Sequence, residues 1–236
     1  MNNIFLYHHL GLGDHFLCNA IVRIYAEKYS KVYLFCKPKY LENVSFLYRD
    51  LNNIKMIPGE MNFVDSFMKF SPNNNYLIIG HTKDYFDKLN NGIYESFDKG
   101  FYEIVNIPFE EKWNKFYLQR DLESEKNVFY NVLNLKDEEE FLFVHDEPEK
   151  NRNFRKEYIE KGVKIINANF YKNIKIYDFL YTIEKAEEVH VMNSSFSCLI
   201  DTMQLKTNKL FLHEYARTDM GNNPNHKLKL DWIILR

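Results

Sequence analysis

Ile4-Phe5-Leu6-Tyr7-His8-His9-Leu10-Gly11-Leu12-Gly13-Asp14-His15 opens the chain with a short apolar run, a turn holding two glycines, and the start of a helical pattern. The run 4–8 suits a buried strand, and helical periodicity is expected over about 15–29. Gly11 and Gly13 allow a sharp turn and let a ligand approach without a Cβ in the way. Asp14 stands near a helix N-terminus, where unpaired amides favour a carboxylate. An ordinary N-cap is the plain structural alternative for that aspartate. Strand, tight turn and helix form the first half of a βαβ unit, and this reading governs the rest of the chain.

Moving outward, the alternation continues. Strands are expected at 32–36, 54–57 and 76–80, with helical stretches at 40–49 and 63–70. Residues 81–122 look less regular; they contain Gly92, Gly100 and Pro108, then the aromatic segment 113–118. Phe101, Tyr102 and 113–117 suit packing between lobes better than stacking on a sugar or base. The alternation then restarts, with a helix at 125–135 and a strongly apolar strand at 141–145. A helix at 155–161 should end at Gly162, followed by a strand at 163–166. A helix at 176–186, a strand at 189–192, a helix at 195–204 and a strand at 209–213 come next. Residues 232–235 close the chain as a strand or an extended tail. The expected fold is therefore α/β, with two Rossmann-like parallel-sheet lobes, 1–120 and 121–236, facing a central cleft. Ligands of such sheets sit beyond the carboxyl ends of the strands.

Bulk properties narrow the classes. With 236 residues, 45% hydrophobic and 27% charged, the chain has globular balance rather than that of a disordered segment. A net charge of −2 without a long basic run lacks the footprint of a nucleic-acid binder. No apolar run approaches the roughly 20 residues of a membrane span. The start has no basic n-region of a signal peptide. Three cysteines without CxxC spacing, Cys18, Cys36 and Cys198, suit reduced thiols acting as small buried hydrophobes. A cytoplasmic protein is expected, with membrane contact at most peripheral.

The glycine turn is not a dinucleotide fingerprint. Phe16 occupies the position of its third glycine, and the second strand ends Phe35-Cys36-Lys37 without an acidic residue. No Walker A lysine follows either. The strand, Gly-Leu-Gly-Asp turn and helix resemble the opening of heptosyltransferases, which are GT-B glycosyltransferases. That resemblance implies Asp14 as catalytic base for an acceptor hydroxyl, and Gly11 and Gly13 as the loop shaping the acceptor side. His9 and His15, beside them, are candidates for holding an acceptor, with polar loop residues as the alternative; the same applies to His8.

A second polar turn, Asn193-Ser194-Ser195-Phe196-Ser197, joins a strand to a helix. A capped helix is its structural reading. Three hydroxyls and an amide at a helix start also suit an anion. The run resembles the Asn-Ser-Ser-Phe-Ser segment of GDP-sugar fucosyltransferases, again of GT-B type, which implies donor binding by Asn193, Ser194, Ser195 and Phe196. The arginine-rich turn of that family has no clear counterpart. Val144-His145-Asp146-Glu147-Pro148-Glu149-Lys150-Asn151-Arg152 is acidic before it is basic, leaving Lys150, Arg152 and Arg155 as candidates for a diphosphate. His213-Glu214-Tyr215-Ala216-Arg217 follows a strand, so Glu214 is placed to accept from ribose hydroxyls and His213 to line the donor side, with a surface turn as the alternative.

No DxD, HExxH or GxSxG occurs, which argues against metal-held donors, zinc proteases and lipase-type hydrolases. The expectation is a metal-independent glycosyltransferase without cofactor, taking a nucleotide-sugar donor as substrate and a glycan or lipid-linked sugar as acceptor. Inversion is implied by the heptosyltransferase resemblance. A nucleotide-sugar binder without catalysis and a nucleotide-sugar epimerase on the same fold remain the alternatives.

Overall fold

A computed structural model of the chain describes residues 2–159, 162–216 and 226–236. They divide into two compact units. One holds residues 2–119 and 226–227, the other 120–216 and 228–236.

The first unit is built on four parallel strands, β1 (Asn3–Tyr7), β2 (Lys31–Cys36), β3 (Ile54–Pro58) and β4 (Tyr76–Ile78), in the order β3-β2-β1-β4. The chain steps outward from β1 to β3 and then returns to the other side of β1. The point where strand order reverses therefore lies between β1 and β4. Ile4 and Leu6 of β1 and Val32 and Leu34 of β2 are almost fully buried, as expected for a parallel sheet covered by helices.

The helix expected over 15–29 begins earlier and is divided: α1 runs Leu12–Leu17 and α2 Asn19–Lys28, meeting at Cys18 with φ −92° and ψ 3°. The helices α3 (Leu41–Leu47) and α4 (Met61–Phe70) follow β2 and β3. The supposedly irregular stretch 81–122 contains α5 (Lys83–Asn90), α6 (Phe97–Ile104) and α7 (Glu111–Asn114). Thr82 and Ser96 start the first two by accepting from the amides of Tyr85 and Lys99. Phe101 and Tyr102 belong to this unit's own core, packed with Ile79, Tyr85 and Tyr94. Residues 226–227 are held here by a buried ion pair. Lys112 Nζ lies 2.7 Å from Asp98 Oδ2 and donates to the Lys227 carbonyl at 2.6 Å.

The second unit begins with α8 (Leu122–Asn127), three residues before the expected start, because Asp121 accepts from the Ser124 amide. Wider helical turns continue it through Val128–Val132. Five parallel strands follow: β5 (Phe141–His145), β6 (Lys164–Asn167), β7 (Glu188–Val191), β8 (Lys209–His213) and β9 (Trp232–Leu235), ordered β6-β5-β7-β8-β9. The reversal here lies between β5 and β7, both buried along nearly their whole length. Helix α9 (Lys156–Ile159) follows β5; the end expected for it at 160–161 lies outside the described residues. A tight turn over Ile176–Phe179 leads into α10 (Leu180–Lys185), and α11 (Ser195–Met203) joins β7 to β8. Residues 232–235 form a true strand, pairing with β8 from Leu210↔Trp232 to His213↔Leu235. Asp201 of α11 steadies its approach, accepting from the amides of Lys229 and Leu230 and from Trp232 Nε1.

Cys18, Cys36 and Cys198 are buried. Burial pushes the Cys36 thiol up to about 11. Among the described residues no helix is long and apolar enough to cross a membrane.

Candidate functional site

Each polar turn singled out in the sequence leaves the carboxyl end of a strand bordering the order reversal of its sheet. The first follows β1. Gly11 precedes α1 as its N-cap, with φ −72° and ψ 150°, so Asp14 is the third helical residue. Asp14 Oδ2 accepts from the Gly11 amide at 3.1 Å. A Cβ on Gly11 would lie 2.5 Å from that oxygen. A side chain at residue 11 would thus push the Asp14 carboxylate out of this bond, although the backbone there is not left-handed. Asp14 and Gly13 are half-buried.

The histidines divide. His9 is half-buried, and its Nε2–H donates across the reversal to the Gly80 carbonyl at 2.7 Å. Gly80 itself takes φ +77°, and a Cβ there would meet Phe101 at 2.5 Å and His9 Nε2 at 2.9 Å. His8 and His15 are fully buried, edge to face with centroids 4.4 Å apart. His8 Nδ1–H donates to the His9 carbonyl at 2.5 Å. Among the described residues neither nitrogen of His15 has a hydrogen-bond partner. Desolvation lowers His8 to about 4 and His15 well below its usual value. His15 is therefore a neutral interior ring, and only His9 remains beside the turn with part of its surface open. His81, after β4, stacks on Tyr7 at 4.1 Å; burial lowers it to about 4.

The second turn follows β7. Ser194 is the extended N-cap of α11. The buried Ser197 hydroxyl accepts from the Ser194 amide at 3.0 Å and donates to its carbonyl at 2.9 Å. Ser194 Oγ faces His145 Nδ1, at the end of β5, at 3.3 Å. This contact spans the order reversal. The first amides of an α-helix have no carbonyl one turn back, and here they belong to Ser195 and Phe196. The Phe196 ring points inward, 4.5 Å from His145 and 5.4 Å from Phe143. Its contribution at the turn is thus its backbone. Asn193 is buried, while Ser194 and Ser195 are half-buried. Desolvation lowers His145 to about 4.

The basic candidates separate by partner. Glu147 and Arg152 form a tight hairpin through paired backbone bonds, with Asn151 left-handed at φ 57°. The Glu147 carboxylate takes both Lys150 (2.6 Å) and Arg152, so neither cation is uncommitted. Arg155 is different. It is exposed, its guanidinium lies 4.2 Å from the Tyr215 ring centre, and among the described residues no carboxylate pairs with it. His213 is fully buried, bonded through Nδ1 to Tyr215 and through Nε2 to His190, so its ring is not available to a ligand. Glu214 pairs with Arg236 at 2.8 Å. Arg217 lies outside the described residues. His145, Arg155 and Tyr215 thus join the edge of the second sheet. His145 and Tyr215 stand at or just after strand ends, a signal the sequence held.

No protein-family model matches the sequence, and no curated protein matches it. Solved structures match in shape. The glycosyl transferase family 9 structure from Veillonella parvula superposes with a TM-score of 0.56 at 8% identity, over 99% of this chain and 86% of that one. The E. coli ADP-heptose lps heptosyltransferase II gives 0.51 at 12% identity, over 100% and 90%. The fold is that of the GT-B transferases. At such identity the likeness establishes architecture alone. Within the GT-B frame, both polar turns occupy the strand ends at which open α/β sheets take ligands.

Proposed function

We propose that the protein is a glycosyltransferase moving a sugar from a nucleotide-sugar donor to a hydroxyl of a glycan or lipid-linked acceptor. One observation carries the reading. In a chain with a transferase fold, the Gly11–Asp14 turn and the Asn193–Ser197 turn each sit at the order reversal of a parallel sheet. Of the solved structures it resembles, one is a glycosyl transferase of family 9 and another an ADP-heptose lps heptosyltransferase.

In this reading the 2–119 unit takes the acceptor and the second unit the donor. Asp14 removes the proton of the attacking hydroxyl. The new carbon–oxygen bond forms at the anomeric carbon as its bond to the diphosphate breaks, through an oxocarbenium-like transition state, with inversion. The diphosphate leaves with the bonding electrons. The α11 amides, the Ser194 and Ser195 hydroxyls and Arg155 stabilise its charge without a metal. Such an enzyme would work in the cytoplasm.

Binding without transfer is a second reading, favoured by the fact that Asp14 already serves as a cap for Gly11. Thermal melting against UDP-, GDP-, ADP-, CMP- and dTDP-sugars tests the nucleotide part. The matching class at 100 times its Kd should stabilise the fold by about 2.7 kcal/mol. No shift with any of them would end the reading. A shift without sugar transfer to any acceptor would favour the binder.

A further inference from the structure

Beneath Arg155 runs a continuous chain of polar side chains. Glu188 Oε2 and His190 Nε2, at the start and middle of β7, are 3.1 Å apart. His190 Nδ1 lies 2.9 Å from His213 Nε2 on β8, and His213 Nδ1 lies 2.8 Å from the Tyr215 hydroxyl. The Arg155 amide donates to that same hydroxyl at 2.8 Å. His190 and His213 are fully buried and Glu188 nearly so. Phe211 stacks on His190 at 4.5 Å and Phe154 on His213 at 3.7 Å, so both rings are held flat.

For neutral imidazoles the bonds run in one consistent direction. Lys209 Nζ, 3.6 Å from Glu188 Oε1, favours an ionised carboxylate, which accepts from His190 Nε2–H. His190 Nδ1 must then accept from His213 Nε2–H, and His213 Nδ1 from the Tyr215 O–H. The phenol oxygen is left to accept from the Arg155 amide. With both imidazoles neutral, every donor meets an acceptor and each ring is the Nε2–H tautomer. A chain this complete fixes its last member firmly. That member, Tyr215, touches Arg155 twice, by the hydrogen bond and by its ring face.

We propose that Glu188, His190, His213 and Tyr215 form a positioning relay that fixes Arg155 at the carboxyl edge of the second sheet for the phosphates of a nucleoside diphosphate. The placement supports this: Phe154, next to Arg155, packs with Met192 and Ala216, so the three loops leaving β5, β7 and β8 meet at this edge. The inference rests on the donor reading above for its ligand, but the relay itself is a property of the unliganded protein.

Tyr215→Phe keeps the ring under Arg155 and removes only the hydroxyl. Calorimetry with inorganic pyrophosphate, UDP, GDP, ADP, dTDP and CMP compares the wild type with Tyr215→Phe, Arg155→Ala and the double variant. Tyr215→Phe leaves the buried His213 Nδ1 without its donor, so it should melt below the wild type while staying folded, and it should weaken binding about tenfold, the scale of one positioned hydrogen bond. Arg155→Ala should weaken it at least as much, and Tyr215→Phe should add nothing on top of it. Imidazole nitrogen NMR should report Nε2–H tautomers for His190 and His213, with the His213 Nδ1 signal moving in Tyr215→Phe. Unchanged affinity in Tyr215→Phe, full additivity in the double variant, or an Nδ1–H tautomer at His213 would overturn the relay while leaving the transferase reading intact. A wild type that binds pyrophosphate but no nucleotide would instead sink the nucleotide-sugar reading and keep the anion site. Binding of none of the six would sink both.

Discussion

Asp14 carries two demands that one substitution can separate. Its carboxylate accepts from the Gly11 amide, as a residue in the first turn of a helix often does. As a base it must also take a proton. Asparagine retains a carbonyl oxygen for Gly11 but has no proton affinity to offer. Asp14→Asn should therefore melt within a degree or two of the wild type, keep its affinity for the donor nucleotide, and lose turnover by roughly 100-fold or more. Melting curves, nucleotide titration and a transfer assay on one preparation measure all three. Equal turnover in variant and wild type would leave Asp14 a cap and nothing else. The aspartate was readable from its turn, since Gly-Leu-Gly-Asp between strand and helix marks the position. The reason for Gly11 was not. It depends on the helix starting at Leu12, which curls the Asp14 carboxylate back to within 2.5 Å of any Cβ at residue 11.

The start of α11 is organised by Ser197 rather than by the serines facing the turn. With no exposed surface, its hydroxyl holds both the amide and the carbonyl of Ser194. Ser197→Ala fits sterically and leaves that amide without its acceptor. A loss of about 1 kcal/mol is expected, the usual scale of a helix cap. Because the same bonds set the direction of Ser194, nucleotide affinity should fall as well. Differential melting and calorimetry would check the pair of effects; a stability loss with unchanged affinity would remove Ser194 from the donor site. The strands and this turn were legible because 141–145 and 189–192 are short, mostly apolar runs, the pattern of strands buried on both faces. Helices α5 to α7 were missed because four to eight residues hold too little periodicity, although Thr82 and Ser96 stood at their starts as caps. The partners of Lys150 and Arg152 were illegible for another reason. Only the left-handed turn at Asn151 folds Arg152 back to share Glu147 with Lys150, which left Arg155, outside that hairpin, as the cation to consider.

Several imidazoles lie inside this molecule, and together they set how it responds to acid. In an unfolded chain each takes a proton near pH 6.5. In the fold, desolvation lowers His8 and His81 to about 4 and His213 to about 3, and holds His15 well below the ordinary value. Between pH 6.5 and 4 the unfolded chain therefore binds more protons than the folded one, so lowering the pH draws the equilibrium toward unfolding. Each imidazole that is neutral in the fold and protonated in the unfolded chain contributes up to about 1.4 kcal/mol per pH unit. The stability they provide is complete above about pH 7 and drains as the pH falls through 6 and 5. Carboxylates such as Glu95, held down to about 2 by Lys227 and Lys99, act in the same direction only at lower pH, below their ordinary range near 4.5. The expected result is a melting temperature that is level above pH 7 and falls steeply from pH 6.5 to 5, before ordinary acid unfolding begins. His15→Phe should flatten part of that fall. Among the described residues its ring nitrogens have no hydrogen-bond partner, so an apolar ring of similar shape gives up no hydrogen bond there and removes one proton acceptor from the unfolded chain. Melting scans of both proteins from pH 8 to 4.5 would decide it, and parallel curves would mean that His15 takes up its proton in the folded state.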